Sequence, residues 1–400
     1  MSLGVGVPFN FNKLGGGGAA PNPNFISTWD TTQAGSASDT IVLPMTAGPT
    51  VDWGDGTIDT SNTHTYASGG VYTVTIEGAV TTFRFNNSGD KRKITDIRNW
   101  GTFDISNTGV FMGCENMYVS ALDSPTLSTI NLQNTFRFCD SLADSNFNDW
   151  DVSSVSDMSY LFNDCKNLNV YIDDWDVSSV SSMTNMFQNS TGFSRNLNNW
   201  DASSVTMLDN FANGGAFNGD ISTWDVSSVT TMSGMFRSNT AFNQDLSAWV
   251  TTSLVIMDNI FYQASSYNSP MNNWDVSGVS NFQNVFSFAS SFNQPIGNWD
   301  MASSATRVDY MLRDADAFDQ DISSWVVTSI TNLGNFMVSA TGLSTANYDA
   351  LLIAWDAQGA MAYSGTVNFG GSQYTSGGAA EAARTSLISK WGGIIDGGAA

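Results

Sequence analysis

Histidine occurs once in this chain, cysteine three times, and lysine and arginine together only 14 times in 400 residues. Each shortage removes a class of function. A lone His64 and three scattered cysteines do not supply the clustered ligands of a zinc site, and no GxSxG, HExxH, P-loop or CxxC pattern occurs. The scarcity of cations leaves a formal charge of -23, so nucleic acid, whose phosphates need clustered positive charge, is not an expected partner. The one basic cluster, Lys91, Arg92 and Lys93, stands beside Asp90 and Asp96 and reads as a solvated loop. No stretch approaches eighteen consecutive apolar residues, so no membrane insertion is expected. An odd, sparse set of cysteines argues against a disulfide framework. Residues 1–20 lack a basic segment followed by a continuous apolar one, so an ordinary cleaved leader is not expected either.

Apolar and aromatic residues are plentiful, at 42% and 12%, enough for a large core. Their arrangement is periodic. Trp100, Trp150, Trp175, Trp200, Trp224, Trp249, Trp274, Trp299 and Trp325 stand 24 to 26 residues apart except for one doubled gap. In that gap Leu122, followed by Asp123, occupies the expected tryptophan place. A period of this length predicts a solenoid in which each turn buries its apolar face against the next. The spacing of Ile221, Trp224 and Val226 predicts a strand, and that of Val229, Met232, Met235 and Phe236 a short helix or 3₁₀ turn opposite it. A second apolar column, from Met117 through Phe217 and Tyr267 to Leu343, gives ten coils. Cys114, Cys139 and Cys165 open a column of small residues, continued by Ser190, Gly214, Asn239 and Ala264, that suits a tight interior row. A disulfide between neighbouring coils is the alternative.

The flanks differ from the array. Residues 1–24 are rich in Gly, Asn and Pro and predict a flexible leader, although the alternation of Val5, Val7, Phe9 and Phe11 would also suit a strand docking onto a partner subunit. Residues 25–93 alternate β-branched and aromatic residues between Gly and Asp turns, as a small antiparallel sandwich does. Within it VDWGDGT followed by HTYASGGVYTVTI resembles PKD-like domains; that resemblance makes Trp53 core and Gly54, Asp55 and Gly56 a tight turn. Asp52, Asp55 and Asp59 suit Asx turns, with Ca²⁺ binding as the alternative. His64 is expected to pair with turn backbone. Beyond Leu343 the period stops, and TANYDALLIAWDAQ and GAAEAARTSLISKW read as helices, the second with Ala380, Ala383 and Leu387 on one face. VNFGG and GGIIDGG read as strands, and residues 343–400 as a small α/β cap on the open end of the array.

Across residues 94–342 the recurring text, as in DISTWDVSSVTTMSGMF, resembles the BspA-like leucine-rich repeats. The resemblance implies a leucine-rich-repeat-type parallel solenoid with short helices outside, and roles in adhesion, host contact and recognition of proteins or glycans; it implies no catalytic residues. The fold class expected is therefore mainly β with short helices: sandwich, about ten coils, cap. Stacking the coils aligns Asp151, Asp176, Asp201, Asp225, Asp275 and Asp300 on an outward face, flanked by Asp149, Asp174, Asn199, Thr223, Asn273 and Asn298. Like charges one strand spacing apart repel, and Asx-type bonds to the following Ser-Ser backbone would offset this. Alternatively the strip binds a cation, a glycan or a basic protein patch.

The whole reads as a non-enzymatic surface protein without a cofactor. Its expected partners are a host cell-surface protein or glycan and, through residues 1–93, other components of a virion or surface assembly. The absence of a leader favours a virion fibre or decoration protein of a bacteriophage; a bacterial cell-surface adhesin and a purely structural virion component are the alternatives.

Overall fold

The computed structural model describes residues 21–78, 80, 82–301 and 304–400, so the leader expected over 1–24 lies outside the described residues as far as residue 20. Among the described residues the protein is mainly β, with two helices. Eight strands lie in the N-terminal part: β1 (Phe25–Asp30), β2 (Thr40–Val42), β3 (Thr50–Asp52), β4 (Ile58–Asp59), β5 (Thr63–Thr65), β6 (Val71–Glu77), β7 (Ile94–Asn99) and β8 (Tyr118–Val119). Six of them form one sheet in the order β4-β3-β6-β1-β7-β8, and β2 pairs with β5 apart from it. β1 is antiparallel to both β6 and β7, but β7 and β8 run parallel. The sheet thus crosses the boundary expected between residues 93 and 94, and the first parallel pair of the array is built onto an antiparallel sheet.

Lys93, expected in a solvated loop, is instead fully buried, with Asp90 only 2% exposed. Its ammonium donates to the backbone oxygens of Ser36, Ala37 and Thr40 at 2.7–3.1 Å, while Asp90 accepts the N–H groups of Ser36 and Val42 at 2.6 Å. A buried charge is tolerable only when so paired. The pair pins the loop leading into β2 against the start of β7. Next to it Arg92 meets Glu115 at 2.8 Å on the surface.

In the array each copy of the repeat touches the next through one parallel bridge. The bridges run Asn131, Asp157, Ser182, Met207, Thr231, Ile256, Asn281, Arg307, Asn332. These are the residues just before the Met of the V-x-x-M text, so the strand-like point lies after the tryptophan rather than around it. The strand and the helix expected within the repeat of Trp224 are absent from it. Trp224 N–H bonds Ile221 O and Val229 N–H bonds Val226 O, which are turns. From Met232 onward, the N–H groups of Met232, Gly234, Phe236 and Ser238 reach oxygens of the next repeat at 2.6–2.9 Å, while those of Met235, Arg237 and Asn239 close turns at 3.0–3.1 Å. Left-handed residues four apart, such as Asn185 and Asn189 or Asn259 and Gln263, preclude an α-helix there. Successive three-residue turns place residues i and i+3 on one side much as a helix does, which is why the apolar spacing misleads.

The tryptophans from Trp100 to Trp325 are all buried. From Trp175 onward each indole N–H donates to a carbonyl of the preceding repeat, three residues before that repeat's own tryptophan: Trp200 to Ile172 O at 2.9 Å, Trp224 to Leu197 O at 2.8 Å, Trp325 to Ile296 O at 2.9 Å. Leu122 is 94% exposed and does not stand in the tryptophan row. Trp100 and Trp150 instead touch directly, ring centroids 5.4 Å apart, because Asp123 turns inward to accept the N–H groups of Trp100 and Gly101 at 2.7–3.0 Å and so sends Leu122 outward. The phenylalanine rows stack likewise, Phe236 on Phe261 at 5.7 Å and Phe261 on Phe286 at 5.9 Å. The three cysteines are buried and free, so no disulfide joins them; Cys139 and Cys165 donate to Phe111 O and Phe136 O of the previous repeat at 3.1 and 2.9 Å. Two short parallel strands, β9 (Ala143–Asn146) and β10 (Asn169–Tyr171), add a local pair.

After the array come α1 (Thr345–Asp356), β11 (Gly365–Asn368), β12 (Gln373–Tyr374), α2 (Ala379–Trp391), β13 (Gly392–Ile395) and β14 (Gly398–Ala399), with β11 parallel to β13 and β12 to β14. Trp355 of α1 prolongs the indole row by donating to Ile322 O at 3.4 Å, and Asn368 O receives Met337 N–H at 2.8 Å. Ala380, Ala383, Leu387 and Trp391 form the buried side of α2. One apolar core runs from Phe25 to Trp391.

Candidate recognition face

Asp151, Asp176, Asp201, Asp225, Asp275 and Asp300 are all exposed, immediately after a buried tryptophan, in turns rather than on strands. Their positions follow from the turn chemistry. Oδ1 of Asp151, Asp176, Asp201, Asp225 and Asp275 accepts the N–H of the residue two places on, Ser153, Ser178, Ser203, Ser227 and Ser277, at 2.9–3.2 Å. Asp151 and Asp176 also accept the serine hydroxyl at 2.6 Å. These are Asx turns that bend the chain between the tryptophan and the valine of each repeat. The serine hydroxyl and then its N–H hold the carboxyls of Asp151, Asp176, Asp225 and Asp275 below the ordinary value of 3.8, and at Asp151 the charge of Asp176 opposes the effect. These four carboxyls are therefore ionised at neutral pH. Val250 and Val326 interrupt it as exposed apolar residues.

On the other side of the buried tryptophans lies the second exposed row, Asp149, Asp174, Asn199, Thr223, Asn273 and Asn298. Behind it stands a ladder not anticipated from the sequence. Oδ1 of Asn218, Asn243, Asn268, Asn293 and Asp319 accepts the backbone N–H of its counterpart in the next repeat at 2.8–2.9 Å. Its signal is the residue after the second aromatic column, as in Phe217-Asn218 and Phe292-Asn293. A hydroxyl ladder runs in parallel: Ser181, Thr206, Thr230 and Thr331 each donate to the carbonyl of the equivalent residue one repeat earlier at 3.0–3.2 Å. Side-chain ladders of this kind fix the register of stacked chains. The polar rows are thus presented at fixed intervals on a stiff support.

The N-terminal candidates serve local structure. Asp52, Asp55 and Asp59 each accept the N–H two residues on, from Gly54, Thr57 and Ser61, at 2.9 Å. Among the described residues no three His, Cys, Asp or Glu side chains group as metal ligands. His64 pairs with the Asp55 carboxylate at 2.9 Å rather than with turn backbone, and stacks on Trp53. Trp53 is fully buried. Gly54 adopts φ +80°, and a side chain there would meet the carbonyl of Thr73, which is why the turn takes glycine.

Two clefts open on the array. One, of about 440 Å³, is walled by ions already paired with one another, among them Arg92 with Glu115 and Lys166 with Asp140 at 2.9 Å. The other, of about 390 Å³, is lined by Tyr171, Asp173, Ser194, Arg195, Asn196, Asn198 and Asn199 and adjoins the second exposed row. Among the described residues no helix is long and apolar enough to cross a membrane.

Comparison with known proteins places the repeats. The family model described as "Mycoplasma protein of unknown function, DUF285" matches residues 81–190, 130–210, 206–287 and 247–350, in overlapping stretches as a repeated unit would. No curated protein and no solved structure matches the chain.

Proposed function

From the premise that this chain belongs to the DUF285 family, whose model covers it from residue 81 to 350, we propose that it is a non-enzymatic recognition protein of an exterior surface. In this reading the repeats form a parallel solenoid of about ten coils, residues 25–93 a PKD-like sandwich that attaches it to a larger assembly, and residues 343–400 its cap. The assembly is a virion, and the partner a host cell-surface protein or glycan. The observation that supports this is the pairing of a continuous bridge ladder with exposed acidic and amide rows. Asp151, Asp176, Asp201, Asp225 and Asp275 each use Oδ1 to shape their own turn, so these groups are held before any partner arrives, and preorganised groups lose little entropy on binding.

The test exploits the same geometry. Asparagine keeps an Oδ1 acceptor, so the combined variant Asp151→Asn, Asp176→Asn, Asp201→Asn, Asp225→Asn and Asp275→Asn keeps the Asx turns and the folded state while removing the charge. Attachment to host cells should fall with the fold intact. Attachment undiminished in this variant, and in a deletion of residues 94–342 carried on an assembled particle, would remove the recognition role and leave a structural one.

A further inference from the structure

A repeat protein shows where it departs from its own rule, and two departures meet at the 390 Å³ cleft. Five residues before the tryptophan, Gln244, Gln294 and Gln320 extend Nε2 to the carbonyls of Asn218, Asn268 and Asn293 at 2.8–3.2 Å. Arg195 holds that place before Trp200. It makes the equivalent bond, Nη2 to Asn169 O at 3.3 Å, but its longer arm carries the guanidinium over the ring of Tyr171, 3.5 Å from the centroid. Four residues before the tryptophan, where other repeats have Asn196, Asp220, Asp245, Pro270 or Asp321, the repeat of Trp175 has Tyr171, left 39% exposed. The repeat of Trp224 has Gly219 in the glutamine place. A Cβ there would lie 1.9 Å from Arg195 O, so no side chain closes the cleft from that side.

Ser194 Oγ and Asn196 Oδ1 accept the N–H groups of Asn218 and Asp220 at 2.8 and 3.0 Å, but other polar groups around the opening are unspent. Arg195 Nε is buried without an acceptor, and among the described residues no hydrogen bond or ion pair engages the side chains of Asp173, Asn198 and Asn199. The volume lies within the ~300–1,000 Å³ usual for small-ligand sites, but such sites are mostly apolar. Here the wall consists of amides, a hydroxyl, one carboxylate, one guanidinium and one aromatic edge. Planar bidentate groups of this kind match adjacent hydroxyls, and the balance of Asp173 against Arg195 favours an uncharged ligand.

We propose that the cleft between Tyr171 and Asn199 is a subsite for one neutral hexopyranose residue of a glycan. The inference rests on the recognition role above and names its ligand class and its place, beside the tryptophan of one repeat rather than along the whole acidic row.

Saturation-transfer NMR on the full chain with methyl β-D-glucopyranoside, methyl β-D-galactopyranoside and methyl α-D-mannopyranoside tests it. At least one glycoside should receive transfer to its ring protons, and Asn198→Ala, Asn199→Ala and Tyr171→Ala should abolish it. Neither asparagine side chain carries a bond of the fold, so their loss leaves the protein folded, and Ser339→Gly, at an exposed turn outside the cleft and the acidic row, serves as the unaffected control. No transfer to any of the three from the unaltered protein, or equal transfer in the asparagine variants, overturns the proposal. Host attachment measured on the same proteins separates the two readings. Attachment without glycoside binding sinks the subsite alone; glycoside binding without attachment sinks the surface role alone.

Discussion

A tryptophan in this protein supplies two things that no other residue combines. Burying an indole removes ~150–250 Å² from water, worth roughly 4–6 kcal/mol gross at ~25 cal/mol/Å². Its N–H also gives a carbonyl of the neighbouring repeat, which already closes a turn, a second donor. Trp224→Phe separates the two, since it keeps an aromatic ring but leaves Leu197 O with the Trp200 N–H alone. The expected loss is about 0.5–1.5 kcal/mol, read as a drop in the denaturant midpoint, and more for Trp224→Ala at about 3–5 kcal/mol. A phenylalanine variant as stable as the parent would remove the indole bond from the account. The tryptophan beat and the small-residue column around Cys139 were legible in the sequence because both recur with the period. Leu122 and Lys93 were not. Each owes its place to one aspartate, Asp123 or Asp90, whose choice of backbone N–H partners leaves no periodic trace.

At the scale of the element, the repeat is made of turns joined by a single bridge, and its hidden signal is backbone sign. Left-handed residues recur four apart, Asn134 and Phe138, Asn284 and Phe288, Asn335 and Ser339. Asparagine tolerates this conformation better than most side chains and glycine best, which accounts for the asparagines that apolar periodicity passes over. Helical and strand templates failed here because both assume that each segment bonds in one manner, whereas alternate N–H groups of this one bond within the turn and to the neighbour. The terminal helices were legible because α1 and α2 bond internally. Ser339, exposed at φ 63°, gives a clean test. Ser339→Val should cost about 1–2 kcal/mol through the left-handed backbone, measured by equilibrium unfolding, while Ser339→Gly should cost nothing. Equal effects of the two would mean that the conformation is not fixed in solution.

Over the whole molecule, a net charge of -23 opposes compaction, and the carboxylates are placed to resist it. Burial pushes the Asp396 carboxyl up, but bonds from Arg384 at 2.7 Å and Tyr348 at 2.8 Å outweigh it and leave the group below 3.8. Asp356, where the Lys390 bond outweighs burial, and Asp151, Asp176, Asp225 and Asp275 shift the same way. Groups whose folded value is depressed contribute stability above the unfolded value and lose it as pH falls through the folded one. Melting temperature should therefore hold near neutrality and fall as pH drops below 3.8, although acidification relieves the repulsion, because salt screens exposed charges beyond about 8 Å. A melting temperature that rises steadily into acid would show repulsion to be the larger effect.

The stacked array, its polar rows and the cleft beside Tyr171 all depend on the indoles being enclosed between successive repeats. Hydrogen exchange at the indole Nε1–H groups, followed by NMR on the full chain, measures that directly. The protons of Trp200, Trp224, Trp249, Trp274 and Trp325 should exchange as slowly as the backbone N–H groups of the inter-repeat ladder; exchange of that set at the rate of a free indole would contradict the stacked architecture and the face it supports.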